Sequence, residues 1–422
     1  MKLQVSGTLS GNVQVPPSKS VAHRMLICAA LAGNPCTIVC RGINRDMEAT
    51  AACLNALGAN IKYADGKFSV EPVCKVNKGA TLDCAESGST LRFLLPVAAA
   101  LGADAVFTGR GRLPERPLSP LYEEMTVHGI RMSENGHMPL TCQGTLPAGT
   151  YTIDGGVSSQ FISGLLMALP LTGAESRIII TGKQESASYI DLTLNALKQF
   201  GIEVQTTANG YLIPGNQKYS TPDGLIAVEG DWSGAAFWIT AGVAGAKQIT
   251  CSGLDYERSA QGDRRIVDVL RRMGAEIAIS NNSITARPSK LTAAQIDCAD
   301  IPDLVPIMAV AAATAQGTTV FDNIRRLRIK ESDRVQSILE LLSGAGISAY
   351  ATDNTLTVTG GPAHDMEYDP SGDHRMAMAA AILASIKNVR IIIKDSECTG
   401  KSYPAFFDDL NALGGEINRI EK

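Results

Sequence analysis

In the segment Leu54-Asn55-Ala56-Leu57-Gly58-Ala59-Asn60-Ile61 an apolar helix face ends at a glycine and alternating residues follow, and this pattern indicates the architecture of the chain. A glycine there is typical of the left-handed residue that closes a helix, and the alternation after it predicts a strand. Similar segments recur at 125–132, 197–204, 270–277, 342–349 and 410–417. Their shared glycines, at 58, 129, 201, 274, 346 and 414, are 71, 72, 73, 72 and 68 residues apart. This regularity indicates six repeats of one supersecondary unit.

A repeat of this length is longer than the roughly 20–50 residues of common solenoid repeats. It suits a small α/β unit with two helices and a few strands. Six such units account for all 422 residues. The spacing leaves open whether they form one assembly or two groups of three, and the length of the chain favours two lobes.

Composition and charge exclude several classes of protein. Lysine and arginine number 38 against 42 acidic residues, so a basic surface for nucleic acid is not expected. The longest apolar runs, such as 376–386, are too short to span a membrane, and residues 1–7 lack the apolar core of a signal peptide. The ten cysteines are scattered without zinc-ligand spacing. We therefore expect a cytoplasmic protein with reduced thiols, no structural metal, and no nucleic-acid or membrane partner.

The first candidate site is Pro16-Pro17-Ser18-Lys19-Ser20-Val21-Ala22-His23-Arg24, which precedes an apolar run that predicts a helix. Ser18 is a candidate N-cap, and Ser20 and Arg24 would share one helix face. Backbone N–H groups, the positive end of the helix dipole and two cations together favour an anion. A capped surface helix with solvated cations is the alternative.

Other helix starts in the N-terminal half also carry polar groups. Residues 88–92 open an apolar stretch in which Pro96 predicts a kink or a restart. Residues 158–160 precede the apolar run 161–169, where N-capping is the alternative to phosphate binding. The basic loop 110–117 contains too much glycine and proline for a helix.

The C-terminal half repeats this pattern. Asp303 opens an apolar run, with N-capping as the alternative role, and 373–375 begin another. The segment 325–334 holds five cations, of which Lys330 and Arg334 are predicted to be like-charged neighbours on a helix. A bound anion would relieve that repulsion. Anion-binding helix starts in every repeat favour small substrates with several negative charges.

Seven motifs are specific when taken together. They are Pro-Ser-Lys-Ser at 17–20 with Arg24, Glu-Arg-Pro at 115–117, Val-Ser-Ser-Gln at 157–160, Glu-Gly-Asp at 229–231, Ile-Pro-Asp at 301–303, Lys-Glu-Ser-Asp-Arg at 330–334 and Asp-His-Arg-Met-Ala at 373–377. With these motifs the chain resembles, from end to end, the 3-phosphoshikimate 1-carboxyvinyltransferases, the enolpyruvyl transferase family also called 5-enolpyruvylshikimate-3-phosphate synthases.

The resemblance implies an α/β (α+β) fold of the two-lobed, inside-out α/β barrel type, with six repeats of a βαβαββ unit, three per lobe. One lobe would contain 1–17 and 228–422, including the N-terminal strand, and the other 18–227. The segment 16–24 would then lie at the hinge and face both substrates.

The resemblance also implies an activity. The family transfers the enolpyruvyl group of phosphoenolpyruvate to the 5-hydroxyl of shikimate 3-phosphate and releases phosphate, in the shikimate pathway to the aromatic amino acids. No metal or organic cofactor is implied. The two small-molecule substrates are the expected partners, and the chain is expected to be a monomer.

By the same resemblance, individual residues receive roles. Asp303 would be the base for the ring hydroxyl, Glu331 the acid that protonates the methylene carbon, and Lys19 a supporting proton donor. Shikimate 3-phosphate would contact Lys19, Ser20, Arg24, Ser158, Ser159, Gln160, Ser186, Tyr189, Asp303 and Lys330. Phosphoenolpyruvate would contact Lys19, Gly88, Arg116, Gln160, Arg334, Arg375 and Lys401.

A charge count agrees with these assignments. With about −1.5 to −2 for each phosphate and one carboxylate each, the two substrates carry roughly −5 to −6. The assigned residues include seven cations: Lys19, Arg24, Arg116, Lys330, Arg334, Arg375 and Lys401. The balance of these cations against the substrates is close to neutral.

The chain departs from many relatives at Glu86-Ser87, Ser89, Phe93 and Arg326. These positions surround the expected phosphoenolpyruvate pocket, so the resemblance does not extend to glyphosate sensitivity.

Two other functions compete with this interpretation. The sister family that transfers enolpyruvyl to UDP-N-acetylglucosamine usually has Lys-Asn early and a reactive cysteine near 110–116, whereas this chain has Lys19-Ser20 and no cysteine between 84 and 142. A non-catalytic, polyanion-binding repeat protein would lack the acid and base carboxylates that Asp303 and Glu331 supply.

Overall fold

The computed structural model describes residues 1–135, 137–221 and 226–420. Within these residues the chain forms six four-stranded sheets, three in each of two compact units. One unit comprises Met1–Ser18 with Glu229–Lys422, and the other Lys19–Val228. In each sheet the first two strands of a repeat pair in parallel and the last two are antiparallel, which is the pattern of a βαβαββ unit. The predicted α/β fold of six repeats is confirmed.

The helices are α1 (Lys19–Leu31), α2 (Arg45–Leu57), α3 (Gly88–Ala100), α4 (Leu121–Val127), α5 (Ser159–Ala168), α6 (Ala187–Gln199), α7 (Trp232–Ala244), α8 (Ile266–Arg272), α9 (Val305–Ala312), α10 (Arg334–Gly344), α11 (His374–Lys387) and α12 (Phe406–Ala412). The strands are β1 (Lys2–Ser6), β2 (Gly11–Gln14), β3 (Cys36–Val39), β4 (Asn60–Ala64), β5 (Lys67–Glu71), β6 (Thr81–Asp83), β7 (Val106–Thr108), β8 (Arg131–Met132), β9 (Leu140–Gln143), β10 (Thr150–Asp154), β11 (Ser176–Thr181), β12 (Gln205–Thr207), β13 (Gly210–Ile213), β14 (Ile226–Ala227), β15 (Ile249–Ser252), β16 (Glu276–Ser280), β17 (Ser283–Arg287), β18 (Gln295–Asp297), β19 (Thr318–Asp322), β20 (Ala349–Ala351), β21 (Thr355–Thr359), β22 (Met366–Tyr368), β23 (Ile391–Ile393) and β24 (Glu416–Ile420).

Three sheets are completed by strands from a distant part of the chain. β1 lies between β23 and β24, antiparallel to both, and β2 pairs in parallel with β15. In the other unit, β14 pairs in parallel with β3. The chain therefore passes from one unit to the other twice, after Ser18 and after Val228. The boundaries expected from the sequence, after 17 and after 227, lie one residue earlier.

The first helix of each repeat is the most deeply buried. In the C-terminal unit every residue of α9 is buried, as are nearly all residues of α7 and α11, and these three helices pack on one another. Helices that are apolar on all sides must be enclosed by protein. In the other unit α1, α3 and α5 are buried in the same way. The helices therefore occupy the interior, and the sheets lie outside them.

Of the kink or restart predicted at Pro96, the restart is wrong, because α3 continues through the proline. A proline at this position cannot donate a hydrogen bond to the Arg92 carbonyl. Helix α5 packs against that turn through a glycine: a Cβ placed on Gly164 would lie 2.4 Å from Arg92 O and 2.9 Å from Pro96 Cγ. Close helix packing thus supports the turn that proline weakens.

Gly164→Ala is expected to destabilise the unit, because the added methyl group meets backbone that cannot move independently. Overpacking of this kind costs about 1–3 kcal/mol, which should lower the melting temperature by several degrees. Gly361→Ala is the matched control, since a Cβ there meets nothing within 4 Å. Equal melting temperatures for the two variants in differential scanning calorimetry would contradict this packing argument.

Candidate active site

Most of the predicted site residues lie at helix starts. Lys19 and Ser20 open α1, Gly88 opens α3, and Ser159 and Gln160 open α5. In the C-terminal unit the same holds for four others: Asp303 lies in the turn Pro302–Leu304 before α9, Arg334 opens α10, Arg375 is the second residue of α11, and Lys401 ends the turn Ser396–Lys401 before α12. All of these except Lys401, which lies five residues before α12, therefore lie beside backbone N–H groups that the helix itself does not use.

Two guanidinium groups approach the start of α3. A Cβ on Gly88 would lie 2.8 Å from Arg116 Nη1 and 2.9 Å from Arg92 Nη1. Arg92 Nη1 also donates to Gln160 Oε1 at 2.8 Å, and Gln160 Nε2 donates to Ser89 Oγ at 2.9 Å. The absence of a side chain at position 88 leaves room for both cations at a helix N-terminus, which is the arrangement that binds an anion. Arg92 was missing from the predicted residues, although its position one turn after Gly88 places it on the same helix face.

Arg24 is a buried structural link as well as a predicted ligand. Its Nε donates to Thr193 Oγ1 at 2.7 Å, and its Nη2 donates to the Tyr189 carbonyl at 2.8 Å. Its Nη1 donates to the Ser20 carbonyl at 2.6 Å, and its guanidinium lies over the Phe93 ring. Burial lowers the pKa of Arg24 to about 10, so it remains charged. The alternative interpretation, in which Arg24 is a solvated cation on a surface helix, is therefore wrong.

A chain of hydrogen bonds joins the first three helices. His23 Nδ1 lies 2.7 Å from Thr50 Oγ1, which lies 2.7 Å from Thr90 Oγ1. The Thr90 hydroxyl then donates to Ser87 Oγ at 2.8 Å, and Ser87 is the N-cap of α3. Burial is the main reason that the pKa of His23 is lowered to about 3, so the imidazole is neutral. This series of hydrogen bonds between uncharged side chains fixes the start of α3 without adding a charge.

The predicted serines lie at two further helix starts. Ser158 is the N-cap of α5 and accepts from the Gln160 N–H at 3.3 Å, so the capping alternative is observed. Ser159 is buried beside it. Ser186 precedes α6 in the left-handed conformation, with φ at 56°. Tyr189, whose carbonyl accepts from Arg24, follows three residues later. Whether these hydroxyls also hold phosphate stays a prediction.

In the C-terminal unit three cations surround Asp303. Arg334 Nη1 donates to Asp303 Oδ1 at 2.8 Å and Arg375 Nη2 to Asp303 Oδ2 at 3.2 Å, while Lys330 Nζ lies 3.6 Å from Oδ1. Burial alone would raise the pKa of Asp303, but Arg375, Lys330 and Arg334 outweigh it and hold the pKa well below its usual range. Ile301 is the N-cap of this turn and Leu304 is the N-cap of α9, so the N-cap alternative for Asp303 is wrong.

Arg334 connects three carboxylates. Besides Asp303, it donates through Nη2 to Glu331 Oε2 at 2.8 Å and through Nε to Asp373 Oδ2 at 2.8 Å. Its side chain is only 1% exposed. Burial would lower the pKa of Arg334, but Asp373, Glu331 and Asp303 together raise it, so the guanidinium is permanently charged. The fork of Arg334 thus fixes the relative positions of Asp303 and Glu331.

The predicted helical pairing of Lys330 and Arg334 is wrong. Asp333 caps α10, which begins only at Arg334, and Lys330 ends the preceding turn in an extended conformation. Both cations instead approach Asp303, which offsets their repulsion. Burial is the main reason that the pKa of Lys330 is lowered to about 8, so its amine can lose a proton close to neutral pH.

The charge count from the sequence was incomplete because it included only the cations. Lys19 Nζ lies 2.9 Å from Asp46 Oδ2, and Asp373 binds Arg334. Neither Asp46 nor Asp373 was predicted, although both lie near a helix start in a repeat. With Asp303 and Glu331, these carboxylates neutralise much of the positive charge, so incoming anions must compete with them for the cations.

Within the described residues, no group of three or more His, Cys, Asp and Glu side chains is arranged to hold a metal ion. All ten cysteines, which lie in the described part of the chain, are unpaired. Among the helices described, none has the length and apolar character needed to cross a membrane.

The sequence comparisons are consistent with one another. The family profile described as EPSP synthase (3-phosphoshikimate 1-carboxyvinyltransferase) matches residues 3–410. A protein of Clostridium kluyveri with the name 3-phosphoshikimate 1-carboxyvinyltransferase is 43% identical over 419 residues, which cover 97% of this chain and 96% of the relative. A protein of the same name from Clostridium beijerinckii is 40% identical over 422 residues, covering 97% and 96%.

Solved structures share the fold. An EPSP synthase from Acinetobacter baumannii superposes with a TM-score of 0.83 at 23% identity and covers 99% of this chain and all of its own. An enolpyruvyl transferase from Streptomyces tendae superposes with a TM-score of 0.75 at 19% identity, covering 99% of this chain and 98% of its own.

Proposed function

Because the chain belongs to the EPSP synthase (3-phosphoshikimate 1-carboxyvinyltransferase) family, we propose that it transfers the enolpyruvyl group of phosphoenolpyruvate to the 5-hydroxyl of shikimate 3-phosphate and releases phosphate. The observation that carries the proposal is the set of charges around Asp303. A carboxylate held by Arg334, Arg375 and Lys330 provides a base and anion-binding cations at one place.

The residues proposed for each substrate are those that the motifs shared with the family imply. Phosphoenolpyruvate is assigned to Lys19, Gly88, Arg116, Gln160, Arg334, Arg375 and Lys401. Shikimate 3-phosphate is assigned to Lys19, Ser20, Arg24, Ser158, Ser159, Gln160, Ser186, Tyr189, Asp303 and Lys330. Arg92 joins the first group in this proposal, because its Nη1 lies beside Gly88 and binds Gln160. Charge-assisted contacts of this kind to phosphate and carboxylate are short and strong.

Asp303 is the proposed base for the 5-hydroxyl. A carboxylate whose pKa lies far below neutral is always ionised but is a weak base. When an incoming anion takes up Arg334 and Arg375, Asp303 loses two of the charges that hold its pKa down. Its basicity therefore increases only when phosphoenolpyruvate is bound, which couples proton removal to the presence of the second substrate.

The remaining proton steps fall to Glu331 and Lys19. The hydroxyl oxygen attacks C2 of phosphoenolpyruvate while Glu331 protonates the methylene carbon C3, which becomes a methyl group. The tetrahedral adduct then expels phosphate, and the methyl group returns the proton as the double bond forms again. Glu331 is held for this role by Arg334 Nη2 at 2.8 Å. Lys19, paired with Asp46, supplies charge and a supporting proton.

The test is phosphate release from phosphoenolpyruvate in the presence of shikimate 3-phosphate, with UDP-N-acetylglucosamine in a parallel reaction. Release that requires shikimate 3-phosphate is expected. Release with the UDP-sugar alone would favour the sister enolpyruvyl transfer, and binding of both anions without turnover would favour a non-catalytic polyanion-binding protein. A monomeric state, a cytoplasmic location and the absence of nucleic-acid and membrane partners stay predictions.

Gly88→Ala is expected to raise the KM for phosphoenolpyruvate by tenfold or more. The three atoms nearest to the new Cβ belong to the guanidinium groups of Arg116 and Arg92, which are the ends of flexible side chains and can move aside without disturbing the backbone. The fold should therefore be kept while two anion-binding groups are displaced, at a cost of roughly 1.4 kcal/mol per tenfold change in affinity.

Steady-state kinetics with each substrate varied in turn, together with a melting curve, will check this result. Gly361→Ala serves as the control. An unchanged KM for phosphoenolpyruvate in Gly88→Ala would remove Gly88, Arg92 and Arg116 from the proposed subsite.

A further inference from the structure

Thr193 is a buried threonine to which the proposed mechanism gives no role. It lies within α6, and its Oγ1 accepts the 2.7 Å hydrogen bond that Arg24 Nε donates. The Thr193 hydroxyl donates in turn to Ser163 Oγ on α5 at 2.8 Å, and it lies 3.2 Å from the Tyr189 carbonyl. Arginine has no acceptor, so the single proton of the hydroxyl must go to Ser163 or Tyr189 while its oxygen receives Arg24. The direction of the hydroxyl is therefore fixed.

The hydrogen bonds of Arg24 leave one of its N–H groups for a ligand. A guanidinium has five N–H groups, and Nε and Nη2 lie on one edge of its plane. Thr193 Oγ1 and the Tyr189 carbonyl fill that edge, and Ser163 Oγ lies 3.5 Å from Nη2. Among the described residues Nη1 makes a single hydrogen bond, to the Ser20 carbonyl at 2.6 Å. The second N–H of Nη1 is therefore the group that a substrate can use.

The plane of the guanidinium is held by an aromatic ring. The central carbon of the Arg24 guanidinium lies over the Phe93 ring, 4.9 Å from the ring centroid, and both side chains are buried. Tilting the cation away from the ring would lose this attraction. Rotation of the guanidinium within its own plane is restrained instead by the acceptors along its edge. In the described part of the chain, Thr193 is the acceptor that binds Nε.

Thr193 lies where three helices of the proposed shikimate 3-phosphate subsite meet. Arg24 belongs to α1, Ser163 to α5 and Thr193 to α6, and α6 packs against both α1 and α5. All three helices lie in the compact unit Lys19–Val228. The beginnings of these helices carry most of the residues proposed for that substrate. The acceptor that orients Arg24 is therefore attached to the same helices that would hold the rest of the substrate.

We infer that Thr193 is a positioning residue for Arg24: its hydroxyl fills the Nε side of the guanidinium and so directs the remaining Nη1 N–H to the carboxylate of shikimate 3-phosphate. This inference rests on the proposed function, in which Arg24 binds that substrate. A phosphate group has three strong acceptor oxygens and suits the helix starts, whereas a single N–H suits one carboxylate oxygen. Such a charge-assisted hydrogen bond is short and directional. A guanidinium turned away from this position would hold the carboxylate less well.

The test measures binding of shikimate 3-phosphate and of its carboxyl methyl ester by isothermal titration calorimetry. Thr193→Val keeps the shape of the side chain and removes the acceptor. Its Kd for shikimate 3-phosphate should be about tenfold higher than that of the wild type, as expected when a hydrogen bond to a charged group is weakened. The ester carries no carboxylate charge, so Thr193→Val and the wild type should bind it equally. Thr193→Ser keeps the hydroxyl and should restore the wild-type Kd.

Steady-state kinetics separates positioning from a general loss of structure. Thr193→Val should raise the KM for shikimate 3-phosphate and leave the KM for phosphoenolpyruvate unchanged, because Arg24 is not assigned to phosphoenolpyruvate. Thr126→Val is the matched control. Thr126 Oγ1 also donates to the carbonyl of a tyrosine four residues earlier, at 2.8 Å, but Thr126 is exposed on α4. This control should follow the wild type with both substrates.

Ser163→Ala keeps the inference testable if Thr193→Val does not fold. Without Ser163 the Thr193 proton turns to the Tyr189 carbonyl, where it competes with Arg24 Nη2. The Kd for shikimate 3-phosphate should then rise roughly two- to threefold, as for a weakened neutral hydrogen bond. An unchanged Kd in Thr193→Val, or in Ser163→Ala where Thr193→Val is unfolded, would overturn the inference. Equal losses of affinity for shikimate 3-phosphate and its ester would assign Thr193 a purely structural role and overturn it as well.

The wild-type protein tests the proposed function separately. A wild type that neither binds shikimate 3-phosphate nor releases phosphate in its presence would overturn the proposed function, and with it the inference. A wild type that binds shikimate 3-phosphate no more tightly than Thr193→Val does would overturn the inference alone.

Discussion

Asp303→Asn is expected to lower turnover by about 100-fold or more, because asparagine cannot accept the proton of the 5-hydroxyl. It has the same shape and keeps an oxygen that can accept from Arg334 or Arg375, so shikimate 3-phosphate should still bind. The effect should therefore appear in kcat far more than in the KM values. Steady-state kinetics and isothermal titration calorimetry with shikimate 3-phosphate will measure the two separately.

The same substitution is also expected to destabilise the C-terminal unit. Arg334, Arg375 and Lys330 would lose their shared negative charge at a site where the carboxylate is only 17% exposed. Leaving such groups without a full partner costs roughly 1–3 kcal/mol, or a few degrees in melting temperature. Added phosphoenolpyruvate should restore part of the loss, because it supplies anions to the same cations.

Asp300→Asn is the matched control, since Asp300 lies three residues away in a half-exposed pair with Arg265. It should keep both its turnover and its melting temperature. If Asp303→Asn turned over at a rate close to that of Asp300→Asn, Asp303 would not be the base, and Lys330, with its pKa near 8, would be the next candidate.

Arg334→Lys is expected to have the largest combined effect on stability and turnover. The substitution keeps one positive charge but loses the fork that binds Asp303, Glu331 and Asp373 from three different nitrogens. At least one buried carboxylate would be left without its partner, at a cost of about 3–5 kcal/mol. Turnover should fall below detection, because the base and the carbon acid lose their common support.

Arg325→Lys is the control for Arg334→Lys. Arg325 pairs only with the exposed Asp353 among the described residues, and its side chain is 71% exposed. Surface pairs of this kind contribute little, so the control should melt within about one degree of the wild type. Melting curves and single-turnover rates will be measured for both variants. Equal melting temperatures and equal rates would show that the fork of Arg334 is dispensable.

The repeat segments determined most of the fold without tertiary information. A glycine that ends a helix and the strand after it are local features, set by backbone geometry and by alternating side chains. All six shared glycines, at 58, 129, 201, 274, 346 and 414, have positive φ in the structure. Local signals of this kind appear directly in a sequence because each depends on a few neighbouring residues.

Two features of the fold could be seen only in the tertiary structure: the strands that join sheets from a distant part of the chain, and the continuity of α3 through Pro96. That β1 lies between β23 and β24 depends on hydrogen bonds between residues almost 400 positions apart, which local propensity does not contain. Helix α3 continues through Pro96, where Gly164 of another helix packs closely against the Arg92 carbonyl. In both cases a distant contact outweighs the local preference.

The candidate site also has features that could be predicted from the sequence and features that needed the structure. Which helix starts carry cations, serines and the carboxylates Asp303 and Glu331 could be predicted from the sequence, because residue type and position within a repeat are local properties. How these groups pair depends on the packed structure: Lys330 and Arg334 meet at Asp303, and Arg334 also binds Glu331 and Asp373. The physical reason is that Coulomb interactions and desolvation depend on distances between repeats, and these exist only once the helices have packed.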